Sequence, residues 1–410
     1  MNSESLTSKA NHYLHELCVK IPSRRMGSQG NQDATAFFNN VMQRFNFKVE
    51  KQPFHCIDMY QGEIRLSAEA QDFEAFISPY TLGCDVGAEL VVASNIDELE
   101  VVNARGKILL LHGEIAKEQL MPKSFVFYNP EEHQRIYRLM EEKQPAAVIT
   151  ATTRNPDAVG AIYPFPMIED GDFNIPAAFM TEIEGDRLAA FTGKTISLKM
   201  DARRIPSTGE NVVARKGASM DKKVVVCAHI DAKAGTPGAL DNASGISILM
   251  LLAELLRDYD GRLGVEIAAL NGEEYYCAPG QMEYLRLSEG EYGNILLAIN
   301  LDDIGYFKDR SAFSLYGVPN KTAGLVRKVY SKRDGFFEGP AWYQSDHGIF
   351  MSKGIPAMAL TEESFQELLT EITHSEKDTP DIVDASKLVA NAEALYDLIL
   401  EINWTLQKND

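Results

Sequence analysis

Cysteine is scarce: Cys18, Cys56, Cys84, Cys227 and Cys277 are the only five in 410 residues, odd in number, scattered and without a CxxC pair. This usage excludes a disulfide framework and a thiolate metal site, and a reducing cytoplasm is the expected setting. Positive charge is also short, with 40 Lys plus Arg against 59 Asp plus Glu and a net charge of −19. Such a field repels phosphate backbones and anionic membranes, so neither nucleic acid nor membrane is expected as a partner. No apolar run approaches the roughly 18 residues of a membrane helix. The opening MNSESLTSKANHYLHELCVK lacks a basic start followed by an apolar stretch, so no signal peptide is expected. Low-complexity tracts and fixed-period repeats are missing as well, which leaves an ordinary globular chain. Its length exceeds one core and predicts several domains or one domain with a large insertion.

What is present is organised in three stretches. Leu6, Ala10, Tyr13, Leu14 and Leu17 recur at helical spacing, as do Ala34, Phe37, Phe38, Val41, Met42 and Phe45, and Phe47 to Phe54 reads as a strand. From about Gln61 to Met200 the texture is short strand-like runs broken by Gly and Pro, among them Lys107 to Leu111, Ala146 to Thr150 and Ile175 to Met180. After Arg204 strand and helix patterns alternate: Lys223 to Ala228, Ile246 to Leu256, Leu263 to Leu270, Ile295 to Leu301, Lys321 to Tyr330, Ile355 to Leu360 and a last helix over Ser386 to Leu406. The expected fold class is therefore α/β, a central sheet covered by helices on both faces. Residues 1–60 and 201–410 form one domain in this reading, and residues 61–200 an inserted β-rich module.

Ligands in such sheets sit beyond the carboxyl ends of the strands. Those ends read His229-Ile230-Asp231, Asn271-Gly272-Glu273-Glu274 and Asp302-Asp303. His229 and Asp231, two apart on a strand, point to one side, so that one can bind a metal while the other orients it. Asp241 lies in GALDNASG at the mouth of the helix starting at Ile246. Each element has a plain alternative: a buried histidine for His229, a helix N-cap for Asp241, and a solvated loop for Glu273-Glu274. His12, His15, His55, His112 and His133 have no carboxylate at ligand spacing and read as ordinary surface or core residues.

Taken together and in order, HxD at His229, GALDNASG, NGEE, NLDDIG, SDHGIF with GIPAMAL, and His374 followed four residues later by Asp378-Thr379 resemble the dizinc aminopeptidases of the aminopeptidase S and aminopeptidase Y family, metallopeptidase family 28. The resemblance covers about Ser207 to the C-terminus, with weaker support from Ile21-Pro22-Ser23-Arg24 and Gly27-Ser28. It implies a mixed sheet of the zinc-exopeptidase type. It also implies two Zn²⁺ ions, with Co²⁺ or Mn²⁺ as possible substitutes, held by His229, Asp241, Glu274, Asp302 and His374. Asp241 would be the bridge, Glu273 the general base, and Asp231 the partner of His229. A cis peptide at Asp241-Asn242 is a further implication, as is a pocket near Tyr343, Ser345, Asp346 and His347. Peptides would be the substrates, cut at the amino end by water. Gly106 to Leu111 and Ile175 to Ala178 resemble parts of the protease-associated domain that many members carry before the first ligand, and that insertion is expected to supply no metal ligand.

The chain departs from the family in two places. Thr373 stands where some members have a Tyr before the last histidine, leaving Tyr343, Ser345, His347 or a metal to stabilise an oxyanion. Tyr275 to Gly280 replaces a Gly-rich, aliphatic turn. Carboxypeptidase polarity, a glutaminyl-cyclase-like transferase and a non-catalytic binding homologue remain as alternatives on the same fold.

Overall fold

The computed structural model of the chain describes residues 3–21, 23–154 and 161–408, so Pro22 of the early motif lies outside the described residues. Two units are formed, one from residues 1–56 and 208–410 and one from residues 57–207. The chain crosses between them inside the strands Lys48–Ala68 and Thr195–Lys216. Both crossings fall within continuous strands, the second between Pro206 and Gly209, rather than at the boundaries expected at 60 and 200.

The first unit is built on a mixed sheet. Strand Lys223–His229 lies between Gly264–Leu270 and Ile295–Leu301, parallel to both, and Ile295–Leu301 is parallel to Ala357–Glu362. Ser311–Tyr316 and the segment Val212 to Lys216 add antiparallel neighbours. Alternation along the strand decides the layers. Val224, Val226 and Ala228 enter one core with the helices Ser3–His15, Gln29–Arg44, Gly245–Leu255, Asn320–Tyr330 and Ala385–Gln407. Val225 and Cys227 enter the other, with Tyr284, Leu285, Trp342, Ile349, Phe350 and Phe365. A strand buried on both faces reads as an unbroken apolar run, as Lys223 to Ala228 does apart from its first residue. Helix Gly245–Leu255 is apolar apart from Ser247 and Glu254 and buried throughout except Leu255, since outer helices cover it in turn.

The second unit is less purely β than the sequence suggests. Cys84–Ala93, Ile108–Leu111, Ala147–Thr152 and Ala177–Thr181 pair in parallel, in that order. Helix Glu131–Lys143 buries Ile136, Tyr137 and Met140 on one side of this sheet, and helix Glu182–Ala189 buries Leu188 on the other. The fully buried runs ILLL and AVITAT are the signature of parallel strands with two covered faces.

None of the five cysteines forms a disulfide. Among the described residues no helix is long and apolar enough to cross a membrane.

Candidate metal centre

Parallel strands end at the same edge, and the register brings His229 opposite Leu270 and Leu301 opposite Leu360. His229, the turn Asn271 to Glu274, and Asp302 therefore emerge side by side. The helix entrance at Asp241 and the loop at His374 complete the site. Two groups result, His229 with Asp241 and Asp302, and Asp241 with Glu274 and His374, each with ligand atoms within 4.8 Å of one another. Asp241 belongs to both. Its Oδ1 lies 3.1 Å from His229 Nε2 and its Oδ2 3.0 Å from His374 Nε2. His229 Nε2 is also 3.3 Å from Asp302 Oδ1, and His374 Nε2 is 2.9 Å from Glu274 Oε1.

Local hydrogen bonding explains why Asp241 is available. The capping alternative falls to its neighbour: Asn242 Oδ1 accepts from Gly245 N at 3.0 Å, while its Nδ2 donates to Leu301 O at 2.7 Å. The Asp241–Asn242 peptide is cis, as the resemblance implies. His229 Nδ1 lies 3.2 Å from the carbonyl oxygen of Asp231 and 3.8 Å from its carboxylate. A carbonyl only accepts, so Nδ1 carries a hydrogen and Nε2 is the nitrogen that faces the site. The Asp231 carboxylate is instead taken up by the NGEE turn, accepting from Gly272 N (2.8 Å), Glu273 N (3.3 Å) and Glu274 N (3.0 Å). Asp231 orients His229 through its main chain and the two glutamates through its side chain, a division the sequence does not express.

Asp302 is steadied by Ser345, whose hydroxyl donates to Oδ2 at 2.6 Å and accepts from Asn300 Nδ2 at 2.8 Å. The other pocket candidates separate. Tyr343 is 64% exposed, but Asp346 and His347 are buried beneath the site, bonded to Gln281 Nε2 (2.8 Å) and Trp342 O (2.8 Å) respectively. Those two positions line no surface open to a substrate. Thr373 is buried too, its hydroxyl 3.4 Å from Asp303 Oδ1. Residues missed in the sequence include Asn300, Gln281, Lys233, whose ammonium donates to Glu274 O at 3.2 Å, and Asp378, treated below. Asn300, the first residue of NLDDIG, and Asp378 lay in motifs without a role assigned to them, and no periodicity marked Gln281 or Lys233.

The electrostatics are those of a cation site. Burial disfavours charge on His229 and His374, yet the facing carboxylates hold both imidazoliums well above the usual histidine range. Burial likewise opposes ionisation of Asp241, and the two imidazoles override it and hold the carboxyl well below its usual range. Glu273, Glu274 and Asp303 are pushed up first by burial and then by neighbouring carboxylates, Glu274 acting on Glu273 and Asp241 on both Glu274 and Asp303. Two imidazoles cannot neutralise so many buried acids, so the cluster calls for cations. A donor set of imidazole and carboxylate without thiolate fits zinc.

Comparison with known proteins agrees with this chemistry. Across 363 residues the chain is 24% identical to leucine aminopeptidase 2 of Trichophyton equinum, covering 82% of this chain and 68% of that protein. A 140-residue match at 30% identity to the alkaline phosphatase isozyme conversion protein of Escherichia coli K12 covers 31% of this chain and 39% of that one. The fold is similar to that of the aminopeptidase from Aneurinibacillus sp. strain AM-1, with a TM-score of 0.74, 21% identity, and 96% and 93% of the two chains covered. It is also similar to BSAP, a zinc aminopeptidase from Bacillus subtilis, with a TM-score of 0.73, 20% identity, and 97% and 94% covered. Residues 211–399, which contain both histidines and all the carboxylates of the cluster, match Peptidase family M28, and the comparisons together support a metallopeptidase.

Proposed function

We propose that this peptidase is an aminopeptidase that holds two zinc ions, one on His229, Asp241 and Asp302 and one on Asp241, Glu274 and His374, with Glu273 as its general base. The sharing of Asp241 between two histidine-carboxylate groups carries the reading of two ions. Zinc bound there supplies Lewis acidity, polarising a carbonyl and making water nucleophilic at neutral pH. The remaining work falls to side chains. Asp231 fixes the Glu273 and Glu274 main chain, so the two carboxylates keep a constant spacing. Half-buried Glu273, unattached to either histidine, takes a proton from the attacking water and passes it to the leaving amine nitrogen. Burial and neighbouring acids raise its basicity for that task.

The relatives named as aminopeptidases support release of residues from the amino end. The unit of residues 57–207 we read as a protease-associated-like insertion; its support is its position ahead of His229 and the strands Ile108–Leu111 and Ala147–Thr152. Both candidate ligand groups lie outside it among the described residues. Hydrolysis of amino-acid arylamides, measured beside N-blocked peptides with free carboxyl ends, tests the polarity. Turnover of the blocked peptides alone would reverse it to a carboxypeptidase.

A further inference from the structure

We propose that Arg24 and Asp378 are positioning residues that brace the segment from Ile230 to Asp241 and hold the Asp241 carboxylate between the two histidines before any ion binds. This rests on the reading of Asp241 as the shared ligand.

Residues 230–238 have no regular secondary structure, although Ile230, Asp231, Ala232, Thr236 and Gly238 are buried. The main-chain groups of such a segment need partners from elsewhere. Arg24, 2% exposed, supplies donors: Nε to Ile230 O at 3.1 Å, Nη1 to Pro237 O at 2.8 Å and Leu17 O at 2.9 Å, and Nη2 to Gly238 O at 2.7 Å. Asp378, fully buried, supplies acceptors: Oδ1 to Leu240 N at 2.7 Å, Oδ2 to Asp241 N at 3.1 Å, and its carbonyl to Ala239 N at 3.2 Å. A cation thus collects the carbonyls before residue 239 and an anion the N–H groups from residue 239 onward. They meet at Gly238, which has φ +60°, and where a Cβ would stand 2.7 Å from Arg24 Nη2 and 2.5 Å from Asp241 O.

The brace also links ligands. Asp378 follows His374 by four residues, so one short segment fixes both the histidine and the main chain of its carboxylate partner. With the main chain of Asp241 pinned at its nitrogen, each side-chain oxygen faces one imidazole. Supports of this kind act on metal affinity by removing the cost of organising the site.

The test compares Asp378→Asn and Arg24→Lys in the full chain by chelator competition for zinc. Asn keeps the shape but offers one acceptor for two N–H groups, and a Lys ammonium cannot span four carbonyls. Zinc affinity is expected to fall about 10- to 100-fold in each, with arylamide hydrolysis recovering at saturating zinc. Glu266→Gln is the stability control, because Glu266 is buried among Arg215, Lys223 and Tyr284; it should lower Tm and leave zinc affinity alone. Brace variants that lose Tm but bind zinc within about twofold of wild type would overturn the proposal. If Asp378→Asn fails to fold, Asp378→Glu, which displaces the carboxylate by one methylene, is held to the same criterion. Asp241→Ala separates the two levels of inference. Retention of zinc by that variant refutes the metal-centre reading itself, whereas zinc loss there with full affinity in the brace variants refutes the brace alone.

Discussion

Replacing Asp231 with Asn should damage stability and turnover together. The carboxylate is fully buried and accepts three successive N–H groups, two on Oδ1 and one on Oδ2. An amide offers a single acceptor. If its oxygen takes the Oδ1 place, Gly272 and Glu273 stay bonded and the Glu274 N–H meets an NH₂ group; the flipped amide loses two bonds instead of one. One charge-assisted bond lost from a fully buried carboxylate costs about 1.5–3 kcal/mol, so the variant should lie at least that far below wild type in urea unfolding. The turn then relaxes, carrying Glu273 and Glu274 with it, and a shift near 1 Å in reacting groups costs about 100-fold in rate. Arylamide kinetics with zinc content measured in parallel give the second readout: kcat should fall on that scale while the protein keeps most of its metal. An Asn variant equal to wild type in both stability and kcat would refute the three-bond account of the turn.

Glu273→Gln should bind zinc normally yet lose about 10²- to 10⁴-fold in kcat, since the amide keeps the shape and removes the proton acceptor; metal analysis and arylamide turnover check both halves. Chelation should abolish hydrolysis and lower Tm, because an ion that binds only the folded state stabilises it, and restored zinc should reverse both. Glu362 tests the pH dependence of stability. Buried with Oε1 accepting from Gly305 N at 2.6 Å and Ser311 Oγ at 3.2 Å, it is raised by burial from 4.5 to about 7. A raised folded pKa favours the protonated native state, so this stabilisation is complete below about 4.5 and lost as pH rises through about 7. Glu362→Gln cannot ionise, and its stability relative to wild type should rise across that window in urea titrations. Gly238→Ala should destabilise the protein and release zinc, because the left-handed φ and the contact with Asp241 O both oppose a Cβ; unchanged Tm and metal content would contradict it.

The amino-acid sequence by itself determined the α/β class, seven of the strands and helices from Lys223 onward to within two residues at each end, and the residues that meet at the sheet edge, but not the helices Pro279–Leu287, His347–Met351 and Phe365–Glu371. The reason is local. Burial on both faces makes parallel strands apolar runs, so the polar residues that follow each run, His229, Asn271 with Glu273 and Glu274, and Asp302, stand out as the functional edge. The short strands Ser311–Tyr316 and Phe336–Glu338 were not legible, because their apolar residues are too few to establish a period, whereas helix Glu131–Lys143 carries Ile136, Tyr137 and Met140 at helical spacing and is a legible element that the expectation of a β-rich module leaves out. Tertiary structure alone decided the partners. Side-chain direction along a strand follows from spacing, but which main-chain donors arrive at a buried carboxylate depends on segments tens to hundreds of residues away. Hence Asp231 serves the turn at Gly272 to Glu274, Asn242 rather than Asp241 caps the following helix, and Asp346 and His347 sink below the site. Hence also Arg24 and Asp378, 354 positions apart in the numbering, meet on either side of Gly238, a junction that exists only in the folded chain.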